Sequence, residues 1–236
     1  MNNMVYNLKA TAVRFPMTVI LLAALSVTMF LIIEDYSSLD IDLLRRFIFA
    51  GIFGALLATA VRFMLERFEG LKNSFLFYGL TLVLTAAYYY FMTDNEFTNV
   101  MLIHLLVISF ALFAAYLYLP SSKSAVNFGN VALAHFKAAF TSILYGVVSY
   151  LGIAAIISAI DILLYDVDYK SYAHAANIIF IFFTPLYYIS LLPKFNSNDE
   201  DDDKKKEISF MYPKFLDILV SYITIPLITA FTAVLV

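Results

Sequence analysis

The chain has no cysteine and no tryptophan, only three histidines, and few charges: Asp, Glu, Lys and Arg make up 14% of its 236 residues. Without cysteine there is no disulfide, no thiolate nucleophile and no thiolate metal ligand, and the redox compartment leaves no mark on the sequence. Without tryptophan, the amphipathic rings that settle at lipid headgroups must come from the 17 tyrosines. An ordinary soluble domain carries about 25% charged residues. A chain this poor in charge cannot cover a water-facing surface with polar groups. The net charge of −3 is spread over the connections, so there is no basic footprint for nucleic acid. No nucleotide-binding, metal-binding or catalytic motif stands out, and the sequence implies no cofactor and no metal.

Apolar sequence fills the space these absences leave. The chain is 62% hydrophobic with a mean hydropathy of +0.84. Seven stretches are long enough to cross a bilayer, whose hydrocarbon core needs about 20 apolar residues in a helix. They lie at 16–33, 47–65, 75–92, 99–119, 138–160, 175–193 and 218–236. In lipid every backbone polar group must be satisfied internally, so such spans are helices. A barrel strand would alternate in polarity over about 9–11 residues, and these stretches are apolar all round. The expected fold is an all-α polytopic transmembrane bundle of about seven spans, one helical domain over 1–236. The first span follows Lys9 and Arg14, as a signal peptide would. Its apolar run exceeds the usual ~7–15 residues, and Ile32-Ile33-Glu34-Asp35 is not a small-residue cleavage site, so it reads as an uncleaved anchor.

Charge gives the spans a direction. With the N-terminus inside, the inner connections hold 12 of the 15 Lys and Arg, and the outer ones hold only Arg45, Arg46 and Lys170. This is the positive-inside bias, and it predicts a cytoplasmic N-terminus. Tyrosines fall at span ends: Tyr88, Tyr89 and Tyr90 outside, Tyr116 and Tyr118 inside, Tyr187 and Tyr188 closing the sixth span. They read as headgroup belts.

Two connections are long. Residues 120–137 include Phe128, Val131, Leu133 and Phe136, which suggests an interfacial helix leading into the fifth span. The 194–217 connection contains Asp199-Glu200-Asp201-Asp202-Asp203-Lys204-Lys205-Lys206-Glu207, a solvated cytoplasmic loop. It lacks EF-hand spacing and the turn glycine, so calcium binding is not implied.

Ionisable groups at membrane depth are the default functional candidates. Asp161 near the outer end of the fifth span, His104 in the fourth and His174 at the start of the sixth form a candidate proton-linked or cation site. The plainer reading is that Asp161 ends a helix and the histidines bond locally. Tyr145 and Tyr150 complete the candidate set, because their hydroxyls need partners and imply that the fifth helix faces protein or a wet cavity. Arg62 reads as snorkelling. Small residues four apart, Ala50/Gly54/Ala58 and Gly51/Ala55/Thr59 in the second span and Ala154/Ser158 and Ala155/Ala159 in the fifth, favour close helix contact. Pro185 and Pro226 each remove a backbone donor and favour kinks.

Several strings resemble an uncharacterised bacterial family of multi-pass membrane proteins, domain of unknown function 4153. They are Arg14-Phe15-Pro16, Ser142-Ile143-Leu144-Tyr145-Gly146-Val147-Val148, Asp161-Ile162-Leu163, Leu191-Leu192-Pro193-Lys194, Tyr212-Pro213-Lys214-Phe215-Leu216 and Ile225-Pro226-Leu227. The resemblance implies a bacterial plasma membrane location and a longer chain with further spans, which fits a seventh span that stops at Val236 without a polar flank. It carries over no catalytic residue. A tryptophan-containing stretch usual in the family's sixth span has no counterpart here. The function classes that remain are a transport-like or permease-like protein, a membrane scaffold, sensor or subunit partnered by other membrane proteins, and, last, an enzyme acting on lipid-linked substrates. In each the lipid bilayer is the first partner.

Overall fold

A computed structural model describes residues 10–35, 40–68, 74–93, 99–122, 127–163 and 165–195. The expected seventh span with Pro226, and the charged run from residue 196 onward, lie outside the described residues. Helices make up nearly all of the rest, and no strand occurs among the described residues. They are α1 (Pro16–Ile33), α2 (Ile41–Arg67), α3 (Ser74–Thr93), α4 (Asn99–Tyr118) and α5 (Phe128–Leu163). The sixth span, Lys170–Leu191, is built in three parts: α6 (Lys170–Ala176), a π-helical stretch (Asn177–Phe183) and α7 (Thr184–Leu191). Among the described residues six helical segments are thus long and apolar enough to cross a membrane. The chain is an integral, multi-pass membrane protein.

Local chemistry sets the helix ends. Residues 10–14 are already helical, and the chain bends at Phe15 before Pro16, which has no N–H to donate and sits in the first turn of α1. That bend leaves Phe15 buried and holds Arg14 beside it. Asp35 ends α1 in the left-handed region at φ 52°, a conformation Asp tolerates better than most residues. Asp40 caps α2 by accepting from the Asp42 N–H at 2.9 Å. With 27 residues α2 extends about 40 Å, and with 36 residues α5 extends about 54 Å, so both exceed the ~30 Å hydrocarbon core.

Helix α2 is the hub, packed by α1, α3 and α4. Its small residues make that possible: a Cβ on Gly51 would lie 2.6 Å from Leu25 Cδ2, and one on Gly54 would lie 2.7 Å from Thr85 Oγ1. The sixth span packs on α1 and on α5. Helix α5 is used unevenly. Val131, Ala134, His135, Ala138, Ser142 and Gly146 are buried, whereas no residue from Val147 to Leu163 is. The stretch that reads as an interfacial connection is therefore where the fifth helix meets the protein most closely. Its Val131, Ala134 and Ala138 join Phe15, Phe63, Tyr116 and Leu192 in one core cluster. Small-residue spacing is used in α2 and left unpacked in α5, where nothing lies within 4 Å of a Cβ built on Gly152.

Candidate functional site

The polar groups of the bundle gather at the two ends of the sixth span. At the end where α1 begins, the Arg14 guanidinium donates to both carboxylate oxygens of Glu66, Nε to Oε1 and Nη2 to Oε2, each at 2.8 Å. It also donates to the Leu192 carbonyl at 2.8 Å and the Pro193 carbonyl at 3.1 Å. Those carbonyls follow the last turn of α7, where a helix leaves acceptors without intrahelical partners and welcomes a cation. Arg62 Nε reaches the same Glu66 Oε1 at 3.2 Å. Arg14 and Glu66 side chains are only 11% and 17% exposed, and the guanidinium lies over the Phe15 and Phe63 rings. One arginine therefore ties α1, α2 and the end of the sixth span together. The bend before Pro16 is what aims it there.

Beside this latch lies a buried imidazole. His135 on α5 is 2% exposed, and its Nδ1 is 2.7 Å from the Tyr188 hydroxyl of α7. The Tyr188 hydroxyl is in turn 3.4 Å from that of Tyr116 on α4. The His135 ring stacks with Phe195 and meets Phe63 edge-on. Its Nε2 is buried with no hydrogen-bond partner. Whichever tautomer is present, one ring nitrogen is left as a bare donor or a bare acceptor, which costs about 1–3 kcal/mol. Such exceptions mark strain, a missing water or a functional group.

At the opposite end Glu34 terminates α1. A carboxylate at a helix C-terminus opposes the helix dipole and needs cationic partners. Lys170 of α6 supplies one, and His174 of the same helix adds a ring-nitrogen contact. His174 Nε2 is 2.7 Å from Glu34 Oε1, and Lys170 Nζ is 3.7 Å from Oε2 and donates to the Glu34 carbonyl at 3.2 Å. The Phe30 ring covers the imidazole, with centroids 4.6 Å apart.

Between the ends the sixth span changes its winding. Asn177 opens the π-helical stretch and exchanges two bonds with α1: its Nδ2 donates to the Ser26 carbonyl at 2.8 Å, and its Oδ1 accepts from the Ser26 hydroxyl at 3.2 Å. Ile181 and Phe182 pack against Leu22, Leu25 and Ala55. Thr184, at the far end of the stretch, faces α5 instead. Its hydroxyl is buried without a hydrogen-bond partner and abuts Gly146, where a Cβ has no room. The wider π turn shifts side-chain register, so contacts pass from α1 at His174 and Asn177 to α5, where Thr184 abuts Gly146 and Tyr188 bonds His135. Apart from these groups, an apolar groove of about 330 Å³ lies between α1, α2 and α3, lined by Leu21, Leu25, Thr28, Gly51 and Tyr89 among others.

The residues singled out from sequence are placed as follows. Asp161 Oδ1 accepts from the Val167 N–H at 2.7 Å and organises the turn after α5. His104 is on an exposed face of α4, with no hydrogen bond or ion pair among the described residues. His174 pairs with Glu34. The three do not meet. Tyr145 is half exposed, its ring beside Tyr187, and Tyr150 lies beside Phe180. Among the described residues neither the Tyr145 nor the Tyr150 hydroxyl finds a hydrogen-bond partner. Among the tyrosines read as belts, Tyr116 is 3% exposed and Tyr188 bonds His135, so both are core groups. Arg62 is paired with Glu66 rather than only snorkelling. Among the described residues no group of three or more His, Asp or Glu is disposed to hold a metal ion.

His135, Tyr188, Glu66 and Glu34 are absent from the sequence-derived candidates. His135 precedes the expected fifth span by three residues, and Glu66 follows the second by one, so hydropathy puts both in the connections. The available signal was that Arg14, Glu66 and His135 all fall on the inner side of the topology expected from the charge bias.

No curated protein and no solved structure matches the chain. One family model does, that described as Domain of unknown function (DUF4153), over residues 17–236. That match takes in Glu66, His135 and Tyr188 but begins just after Arg14, and it covers nearly the whole chain, which therefore belongs to the DUF4153 family.

Proposed function

We propose that this protein is a transport-type, permease-like membrane protein whose path runs along the sixth span between α1 and α5. One observation carries this reading. The sixth span is held by charge at both ends, and the π-helical stretch between them is followed by a buried hydroxyl, Thr184, that has no partner. Interrupted helices wedged in a bundle expose backbone and side-chain groups where a solute can use them. Groups of this kind at membrane depth carry a cost that a purely structural helix avoids. Under this reading the chain performs no covalent chemistry. The Arg14 end faces the cytoplasm, because the Lys and Arg excess lies on that side. The bacterial plasma membrane is the location that the family resemblance supports.

The chain lacks cysteine, so single thiols can be placed at will. Thr184→Cys and Ser142→Cys in the membrane-embedded protein should react with a charged, water-soluble thiosulfonate, whereas Ile156→Cys on the exposed face of α5 should stay inert. If Thr184→Cys and Ser142→Cys are as inert as Ile156→Cys, the path does not exist.

A second reading, a subunit of a larger membrane assembly, is favoured by α5 beyond Gly146. There Ala154, Ala155, Ser158 and Ala159 form a small-residue surface with no buried position. Self-association or capture by a second membrane protein, abolished by Ala155→Leu with Ala159→Leu, supports it. Indifference to that double substitution removes it.

A further inference from the structure

We propose that His135 binds the proton that releases the Arg14 latch, so that the Arg14 end of the sixth span opens on protonation. The inference takes its purpose from the transport reading, while its test is independent of it. The imidazole has one nitrogen committed to Tyr188 and the other buried without a partner. It is therefore an acceptor, or a tautomer away from one, inside a closed aromatic box.

The charges around that box decide what a proton does there. Around it are the Tyr188 hydroxyl on α7, the Tyr116 ring on α4 and, across the Phe63 ring, Arg14 ahead of α1, whose guanidinium is paired with Glu66 beside Arg62 on α2; Lys137, two residues along α5, lies on another face of that helix. Glu66 already serves two cations, Arg14 and Arg62. Among the described residues no carboxylate pairs with His135. The Phe63 ring lies 5.9 Å from the His135 ring and 5.9 Å from the Arg14 guanidinium carbon, so the two groups share one wall. An imidazolium formed in this box is a third cation beside one carboxylate. Relief comes by separating the cations. The bonds most readily given up are those from Arg14 to the Leu192 and Pro193 carbonyls, because the Glu66 carboxylate holds the guanidinium more strongly than neutral carbonyls do. Losing them frees the end of the sixth span from α1 and α2. Tyr188 accommodates the change without leaving, since its hydroxyl can accept from a protonated Nδ1 as readily as it donates to a bare one.

The test reads the latch directly. Spin labels on Val13→Cys and Lys194→Cys, one next to Arg14 and one next to Pro193, report the distance across it in the membrane-embedded protein. A longer-distance population should appear as pH falls. His135→Gln should keep the short distance at every pH, and Arg14→Gln should show the long one at every pH. To guard against misfolding of His135→Gln, the double variant His104→Gln/His174→Gln leaves His135 as the sole histidine. Its ring-nitrogen resonances should pass from neutral to protonated over the same pH range. A pH-independent distance, a pH response that survives in His135→Gln, or a ring that keeps one protonation state throughout overturns the proposal. A His135-dependent response together with an unreactive Thr184→Cys supports the proton site and removes the transport reading.

Discussion

The two ends of the sixth span solve the same problem with different chemistry. At each end a cation and a carboxylate join the span to α1 and its neighbours. At the Arg14 end the cation is a guanidinium with four geometrically matched acceptors in an aromatic box, and the side chains are 11% and 17% exposed. At the Glu34 end the partners are a lysine and a histidine, with the carboxylate 35% exposed and one contact at 3.7 Å. A guanidinium keeps its charge at any physiological pH and bonds bidentately. A partly exposed pair is screened by water and salt. The Arg14 end is therefore the structural anchor and the Glu34 end the looser contact, with the rewound π-helical stretch between them.

Removing a partner at each end should break that equivalence most clearly. Glu66→Ala leaves Arg14 and Arg62 without a counter-charge in a poorly solvated site and should destabilise the protein by about 3 kcal/mol. Unfolding in mixed micelles measures this, and a loss below that of Glu34→Ala would invert the ranking of the two ends. A smaller effect is expected where α7 crosses α5. Gly146→Ala drives a Cβ into Thr184 and should cost about 1–3 kcal/mol. Thr184→Ala in the same chain should recover most of it, while Gly152→Ala, with open space around it, should be neutral or stabilise by up to about 1 kcal/mol. Equal effects at the two glycines would show that α7 does not press on α5 here. Next in size, Glu34→Gln should cost less than about 1 kcal/mol, and the cost should shrink as salt is raised. A salt-independent loss would make the Glu34 end as well shielded as the Arg14 end. Smallest of all, Asp161→Asn keeps a side-chain oxygen for the Val167 N–H and should change stability by no more than about 0.5 kcal/mol. A large effect on stability or on Thr184→Cys reactivity would return Asp161 to the functional set.

Much of the helix layout was legible beforehand, because a bilayer imposes a length on every apolar run. The first span is found at Pro16–Ile33 as expected, and the third and fourth agree to within a residue or two at each end. The second and fifth were drawn too short, since both continue past the apolar run into segments that hydropathy reads as connections. Those extensions hold Glu66 and His135. The candidate site was harder to read for the same reason: apolarity identifies what can enter lipid, not what one helix presents to another. Asp161, near the outer end of the fifth span and flanked by apolar residues in sequence, accepts from the Val167 N–H in the turn after α5. His174 was singled out as a polar group at the start of a span, and its partner is Glu34, 140 residues away along the chain.

The amino-acid sequence by itself determined that this is a multi-pass helical membrane protein, because hydrophobic length and charge sparsity leave no other solvent for it. It also determined the bend at Pro16 and the close approach of α2 to its neighbours, which follow from a missing N–H and missing side-chain volume. Only the tertiary structure decided which polar groups meet. Arg14 with Glu66, His135 with Tyr188 and Glu34 with His174 are each joined across helices, over a few ångströms in space and many residues in sequence. The register that selects them depends on how the π-helical stretch rotates one side of the sixth span from α1 toward α5, and packing of the whole bundle sets that rotation.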